Sequence, residues 1–236
     1  MLRKKLTHFT LTTFFFSLAT LSLIAEDNND LSGTQEIFKK LGTVIDGKIT
    51  LTDSDNKSVS LHELSEGKKV IVFSLNYFKC KDICSFQLKD MKEKIPTLGS
   101  DILDKTLFLS ISFDFRDTYQ DAKIKEDIFN KDKKLPWKFL VGSSENSIQK
   151  LSQAINFYYN YDKEEDVFAH GAGLFFLSCP DLTFKRYLYG IIYKPEDLRK
   201  AIYDTSHSSI GSFFDRMKLF MQKTFQKEYG RYKDRF

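Results

Sequence analysis

The sequence predicts an α/β fold, a three-layer α/β/α arrangement with a mixed central sheet and an N-terminal β-hairpin. Three observations carry that expectation. Apolar runs with strand character alternate with segments whose apolar residues recur at helical spacing. The last two strand-like runs follow one another with no helix between them, which adds an antiparallel edge to a sheet that is parallel at its centre. A chain of 236 residues, 42% apolar and 29% charged, suits one globular domain with appendages.

The elements follow in chain order. Arg3, Lys4 and Lys5 precede the apolar stretch 9–25, and residues 26–30 (Glu-Asp-Asn-Asn-Asp) turn sharply polar. A basic start followed by a short apolar segment reads as an export signal, so residues 1–25 are a signal peptide or a membrane anchor. Either outcome places the body outside the cytoplasm, in the periplasm or on the outer face of a bacterial inner membrane. Residues 26–41 read as linker and short helix. Gly47–Leu64 alternates apolar and polar residues on both sides of Asp53-Ser54-Asp55-Asn56, a hairpin pattern.

Lys68–Tyr77 is a buried strand, and Cys84–Ile95 a helix with Phe86, Leu88, Met91 and Ile95 on its apolar face, closed by Pro96. Thr106–Phe113 is a second strand, ending in Asp114-Phe115-Arg116-Asp117-Thr118. Thr118–Phe129 reads as helix, Trp137–Val141 as a short strand, and Asn146–Tyr158 as another helix. Leu174–Leu177 and Phe184–Tyr193 are the successive strands. Pro195 opens a last helix, with Glu196 and Asp197 at the positive end of its dipole. The folded domain spans 42–205. Residues 206–236 form a basic amphipathic helix or tail, with Phe213, Phe214, Met217, Phe220, Met221 and Phe225 among Arg216, Lys218, Lys223 and Lys227. Its apolar face packs on the domain, or meets an anionic membrane surface or a partner protein. The net charge of +4, without a dense basic patch in the centre, speaks against nucleic acid.

This order, with cysteines where the first central strand meets its helix, matches a thioredoxin-like fold. A helix N-terminus offers N–H groups and a positive dipole end, which favour thiolate. The chain holds three cysteines, Cys80, Cys84 and Cys179, too few for a disulfide scaffold. Cys80 and Cys84 are spaced C-x-x-x-C, which puts the second sulfur about one helical turn on, on the same face. Two soft sulfurs with an open third position suit Cu(I), with zinc as competitor. Spacing alone leaves an inert pair, thiol redox chemistry and metal binding all open. Among the histidines, His8 lies in the export segment, His62 ends the hairpin and His207 begins the tail. His170 precedes Gly171-Ala172-Gly173 and the strand-like LFFL, in a loop at a strand entrance.

Four stretches then carry a resemblance: GKITLTDSDNKSVSLHEL, VIVFSLNYFKCKDIC, ISFDFRDT and AHGAGLFFLSCPD. In their order and spacing, from Gly42 to Asp204, the chain resembles the SCO/SenC family of copper-binding cytochrome c oxidase assembly proteins. Tyr77, Cys80, Asp82 and Cys84 fit the family pattern Y-x-x-C-P-D-x-C-P, with Lys81 and Ser85 where proline is usual. Asp114, Arg116, Asp117 and Thr118 fit D-P-x-R-D-T with one residue fewer. His170 stands where the family contributes a histidine to copper.

The resemblance implies one copper ion per chain, Cu(I) or Cu(II), held by Cys80, Cys84 and His170, with Cys80 and Cys84 able to close a redox disulfide. Asp82, Asp114, Arg116 and Asp117 would shape the loops around the site. It implies a metallochaperone rather than an enzyme. The partner would be cytochrome c oxidase subunit II or another copper-accepting exported protein. A thiol–disulfide reductase that keeps the target's cysteines reduced, and a redox or copper sensor, are the competing readings. Lys81 adds a cation beside the thiols, which should deepen thiolate character. Cys179 reads as a small strand-end residue, with a lesser prospect of serving as an alternative disulfide partner.

Overall fold

The structure, a computed structural model, describes residues 36–80 and 83–207. The export segment, Lys81-Asp82 and the basic tail from 208 onward lie outside the described residues. A first hairpin pairs β1 (Thr50–Asp53) with β2 (Ser58–Ser60). Its second arm is short because Ser60 ends the strand by capping α1 (Leu61–Ser65): Ser60 and Glu63 form a reciprocal capping box. β3 (Val70–Asn76), α2 (Ile83–Lys94), a 3-10 turn, α3 (Ser100–Leu103) and β4 (Thr106–Ser112) follow. Then come α4 (Tyr119–Phe129), β5 (Trp137–Gly142) and α5 (Glu145–Ala154). The chain closes with β6 (Tyr159–Asp162), β7 (Val167–His170), β8 (Gly173–Ser178), β9 (Thr183–Tyr189) and α6 (Pro195–Ser206).

Seven strands form one mixed sheet in the order β2-β1-β5-β4-β3-β8-β9. β3, β4 and β5 run parallel at its centre; β1 joins β5 and β8 joins β3 antiparallel, and β9 pairs antiparallel with β8 at the edge. This is the expected thioredoxin-like layering. Side chains alternate across the pleat. Ile71, Phe73 and Leu75 face one cluster with Phe113, Leu151, Phe157 and Phe175. Val70 and Val72 face the other, with Leu88, Met91, Phe108, Trp137 and Leu198. Helix α5 covers the first cluster; α2, α4 and α6 cover the second. Each such side chain contributes roughly 1.5–3 kcal/mol on burial. Strands β3 and β4 are buried at every position, as continuous apolar runs require. Among the described residues no helix is long and apolar enough to cross a membrane.

One helix is shorter than expected. The helix read over Asn146–Tyr158 stops at Ala154, and Asn156 takes φ 52°. Asparagine tolerates that left-handed turn, and the aromatic residues beyond it suit a strand better than a helix. They enter β6, which pairs with β7 as a separate two-stranded sheet. His170 is consequently the last residue of β7, opposite Tyr159, and not a loop residue.

Candidate metal centre

The candidate site lies at the carboxyl ends of the parallel strands, where open α/β sheets place their ligands. β3 ends at Asn76, and the chain turns through Tyr77-Phe78-Lys79-Cys80, closed by the Cys80 N–H on the Tyr77 carbonyl at 3.1 Å. Cys84 is the second residue of α2, so Cys80 precedes the helix instead of sharing its face. The Ser85 hydroxyl donates back to the Cys80 carbonyl at 3.0 Å, tying the first helical turn to the cysteine loop. Both sulfur-bearing residues are buried. The three cysteines are present as thiols.

His170 meets this turn from the β6–β7 hairpin. Its Nε2 lies 3.5 Å from Cys84 Sγ. Its Nδ1 lies 2.8 Å from the Gly171 carbonyl, which can only accept, so the ring proton sits on Nδ1 and the Nε2 lone pair faces the sulfur. Tyr77 and Phe113 pack against the imidazole at centroid distances of 5.7 and 5.0 Å. Phe168 packs in turn on both of those rings. The neighbouring Cys80, and then burial, push the Cys84 thiol far above its ordinary range. Burial, then Cys80, pushes Tyr77 to about 12. The lowered Cys84 pKa expected from a helix N-terminus is therefore overturned: a buried sulfur beside another sulfur holds its proton.

The predicted supporting residues divide into two jobs. Asp117 accepts the Phe78 N–H at 2.7 Å and the Ser112 hydroxyl at 2.6 Å, pinning the cysteine loop to the end of β4. Burial raises its carboxyl above the usual range in spite of those donors. Arg116 grips Asp114 through Nε and a terminal nitrogen at 2.9 and 2.8 Å. Its other nitrogen reaches the Tyr161 hydroxyl at 3.1 Å and Asp166 at 3.2 Å, and the guanidinium lies 4.5 Å above the Tyr161 ring. Arg116 thus clasps the hairpin that carries His170. Asp82 lies outside the described residues. Cys179 stands at the opposite end of the sheet, beside Ser178, which pairs with Val70 at the start of β3. That is roughly 20 Å from the Cys80 turn at ~3.3 Å per residue, beyond disulfide reach.

Sequence reasoning missed Tyr161, Asp166, Phe168, Asn76 and Gln87. Arg116 and Asp166 are 50 residues apart, so no local spacing joins them. Asn76 and Gln87 sit in a buried strand and a buried helix face, where their polarity was the sole signal.

Among the described residues no three His, Cys, Asp or Glu side chains stand together as a ready metal cage. The Cys84–His170 pair nevertheless has metal-bridging dimensions. Sulfur at ~2.3 Å and nitrogen at ~2.0 Å from a shared tetrahedral ion stand roughly 3.5 Å apart, as these two atoms do at 3.5 Å.

Against known proteins, the SCO1/SenC family model matches residues 39–207. A protein of Aquifex aeolicus provisionally assigned to electron transfer is similar over 72% of this chain and 95% of its own, at 29% identity and TM-score 0.64. Arabidopsis thaliana ScoI with copper bound shares the fold at 20% identity and TM-score 0.57, covering 71% of this chain and 98% of that one. Bradyrhizobium japonicum ScoI with copper bound does so at 22% identity and TM-score 0.55, covering 70% and 98%. Among curated proteins none matches.

Proposed function

Because this chain belongs to the SCO1/SenC family, we propose that it is an exported copper metallochaperone that holds one ion through Cys80, Cys84 and His170 and hands it to the copper centre of cytochrome c oxidase. The observation that carries this reading is the His170 Nε2 lone pair facing the Cys84 sulfur at 3.5 Å. Export rests on the basic and apolar N-terminal segment. The acceptor is subunit II or another exported protein with paired thiols.

Copper is cargo here, so the site must grip and release. Binding displaces the Cys84 proton. The Gly171 carbonyl keeps His170 in the tautomer whose Nε2 can bind the ion. The Tyr77 and Phe113 rings pack against the imidazole and orient it towards the sulfurs. Release proceeds as the target's thiolates replace one donor at a time. Oxidation of Cys80 and Cys84 to a disulfide removes both sulfur donors and ends binding.

Two buried thiols four residues apart, Cys80 and Cys84, also support thiol–disulfide reduction of the target as a second reading. His170→Ala separates the two. Under copper delivery, chelator competition shows the variant holding copper at least about tenfold more weakly than the native chain, while its dithiol exchange rate is unchanged. Under the reductase reading, His170→Ala leaves reduction and maturation of the target intact, and loss of either cysteine abolishes both.

A further inference from the structure

One buried side chain joins the three segments that carry the proposed ligands. Gln87 is 1% exposed and lies about one helical turn beyond Cys84, on the same face of α2. Its Oε1 accepts from Asn76 Nδ2 at 2.9 Å, and Asn76 ends β3, just before the turn that holds Cys80. Its NH2 group donates to the Gly173 carbonyl at 3.2 Å, and Gly173 opens β8 just after His170. The same NH2 group meets the Gly190 carbonyl at 3.4 Å and the Tyr193 hydroxyl at 2.7 Å.

The orientation of that amide is fixed. Main-chain carbonyls can only accept, so the nitrogen faces Gly173 and Gly190 and the oxygen faces Asn76. Asn76 in turn gives its NH2 to Gln87 and its oxygen to the Ser74 hydroxyl at 2.8 Å. Turning Gln87 over would set its oxygen against two carbonyls in a dry core.

The link from His170 to β8 is held at each step. The Gly171 carbonyl lies 2.8 Å from His170 Nδ1. The Ala172 carbonyl accepts from the Tyr187 hydroxyl at 3.1 Å and the Gly190 N–H at 2.9 Å. The Gly173 carbonyl accepts from Gln87. A Cβ on Gly173 would fall 2.3 Å from the Tyr187 ring, so the strand lies too close there for any side chain. With so little slack, the Gln87 bond is felt at the imidazole, whose Nε2 stands 3.5 Å from Cys84 Sγ.

We propose that Gln87 is a positioning residue: by tying α2 to Gly173 it sets the spacing of Cys84 and His170, and with it the strength of the histidine bond to copper. The copper half of this statement rests on the function proposed above; the spacing half does not.

The test of the spacing uses the copper-free full chain and reads nuclear Overhauser contacts between the His170 ring and the Cys84 β protons. They are present in the native chain and lost in Gln87→Met, a change of similar volume. In the copper-loaded chain, chelator competition shows Gln87→Met holding Cu(I) about three- to tenfold more weakly than the native chain. In a His170→Ala background the same change costs nothing further, because the donor it places is already gone. A merely structural role would weaken copper binding equally in both backgrounds.

A Gln87→Met chain with native circular dichroism and native His170–Cys84 contacts overturns the proposal, as does an equal loss of affinity in both backgrounds. If Gln87→Met fails to fold, Gln87→Asn decides in its place. Its amide is one methylene too short to span Asn76 and Gly173, so native contacts in that chain overturn the proposal as well. Should the native chain bind no copper at the pair, the copper function falls, and the proton contacts still decide the role of Gln87.

Discussion

Strand β3 and the β6–β7 hairpin both deliver a donor to the same place, yet they are held by different forces. β3 is buried at all seven positions and paired along its whole length with β4 on one side, and over four residues with β8 on the other. The hairpin alternates exposed and half-buried residues, and its two strands pair with each other alone. Aromatic packing and the Arg116 clasp keep it against the body. The cysteines therefore hang from the most cooperative part of the molecule, and His170 from a part that can open at lower cost. That asymmetry suits a carrier, because one donor can leave before the ion is lost.

The largest test of the comparison removes a donor from the rigid side. Cys84→Ser should abolish stoichiometric copper binding while leaving the fold intact; copper retained at one ion per chain would put the site elsewhere. Next comes proton competition. Since Cys84 is pushed up by its neighbour Cys80 and by burial, it carries a proton at neutral pH that copper must displace. Copper affinity should then rise with pH, by at least about tenfold per unit, since the Cys84 proton must be displaced. A flat profile between about pH 6 and pH 8 would mean that Cys84 binds as a preformed thiolate.

The pliable side gives the smaller effect. Arg116→Met leaves the fully buried Asp114 carboxylate without its clasp and unties Tyr161 and Asp166, at a cost of about 1–3 kcal/mol. Hydrogen exchange should accelerate over residues 159–170 and stay slow in β3 and β4. Uniform acceleration would show that hairpin and sheet open as one unit.

The same contrast explains what the sequence disclosed. β3, β4, β8 and the junction of Cys84 with its helix were legible because long apolar runs admit few alternatives. The hairpin was not. YNYD and VFAH are four residues each, and the approach to the first, through Phe157 and Tyr158, was absorbed into a preceding helical pattern that only the turn at Asn156 interrupts. His170 stood out through the family resemblance, since a single histidine beside glycines has no spacing to read. The Arg116 clasp and the hydrogen bond from Asn76 to Gln87 join residues distant in the chain, so no local spacing announces either.

X-ray absorption at the copper edge of the reduced, copper-loaded chain tests the central claim most directly. Two sulfurs at ~2.3 Å and one imidazole nitrogen at ~2.0 Å, with the nitrogen lost in His170→Ala, is the predicted outcome. A native first shell that is all sulfur, or one unchanged by His170→Ala, would contradict it.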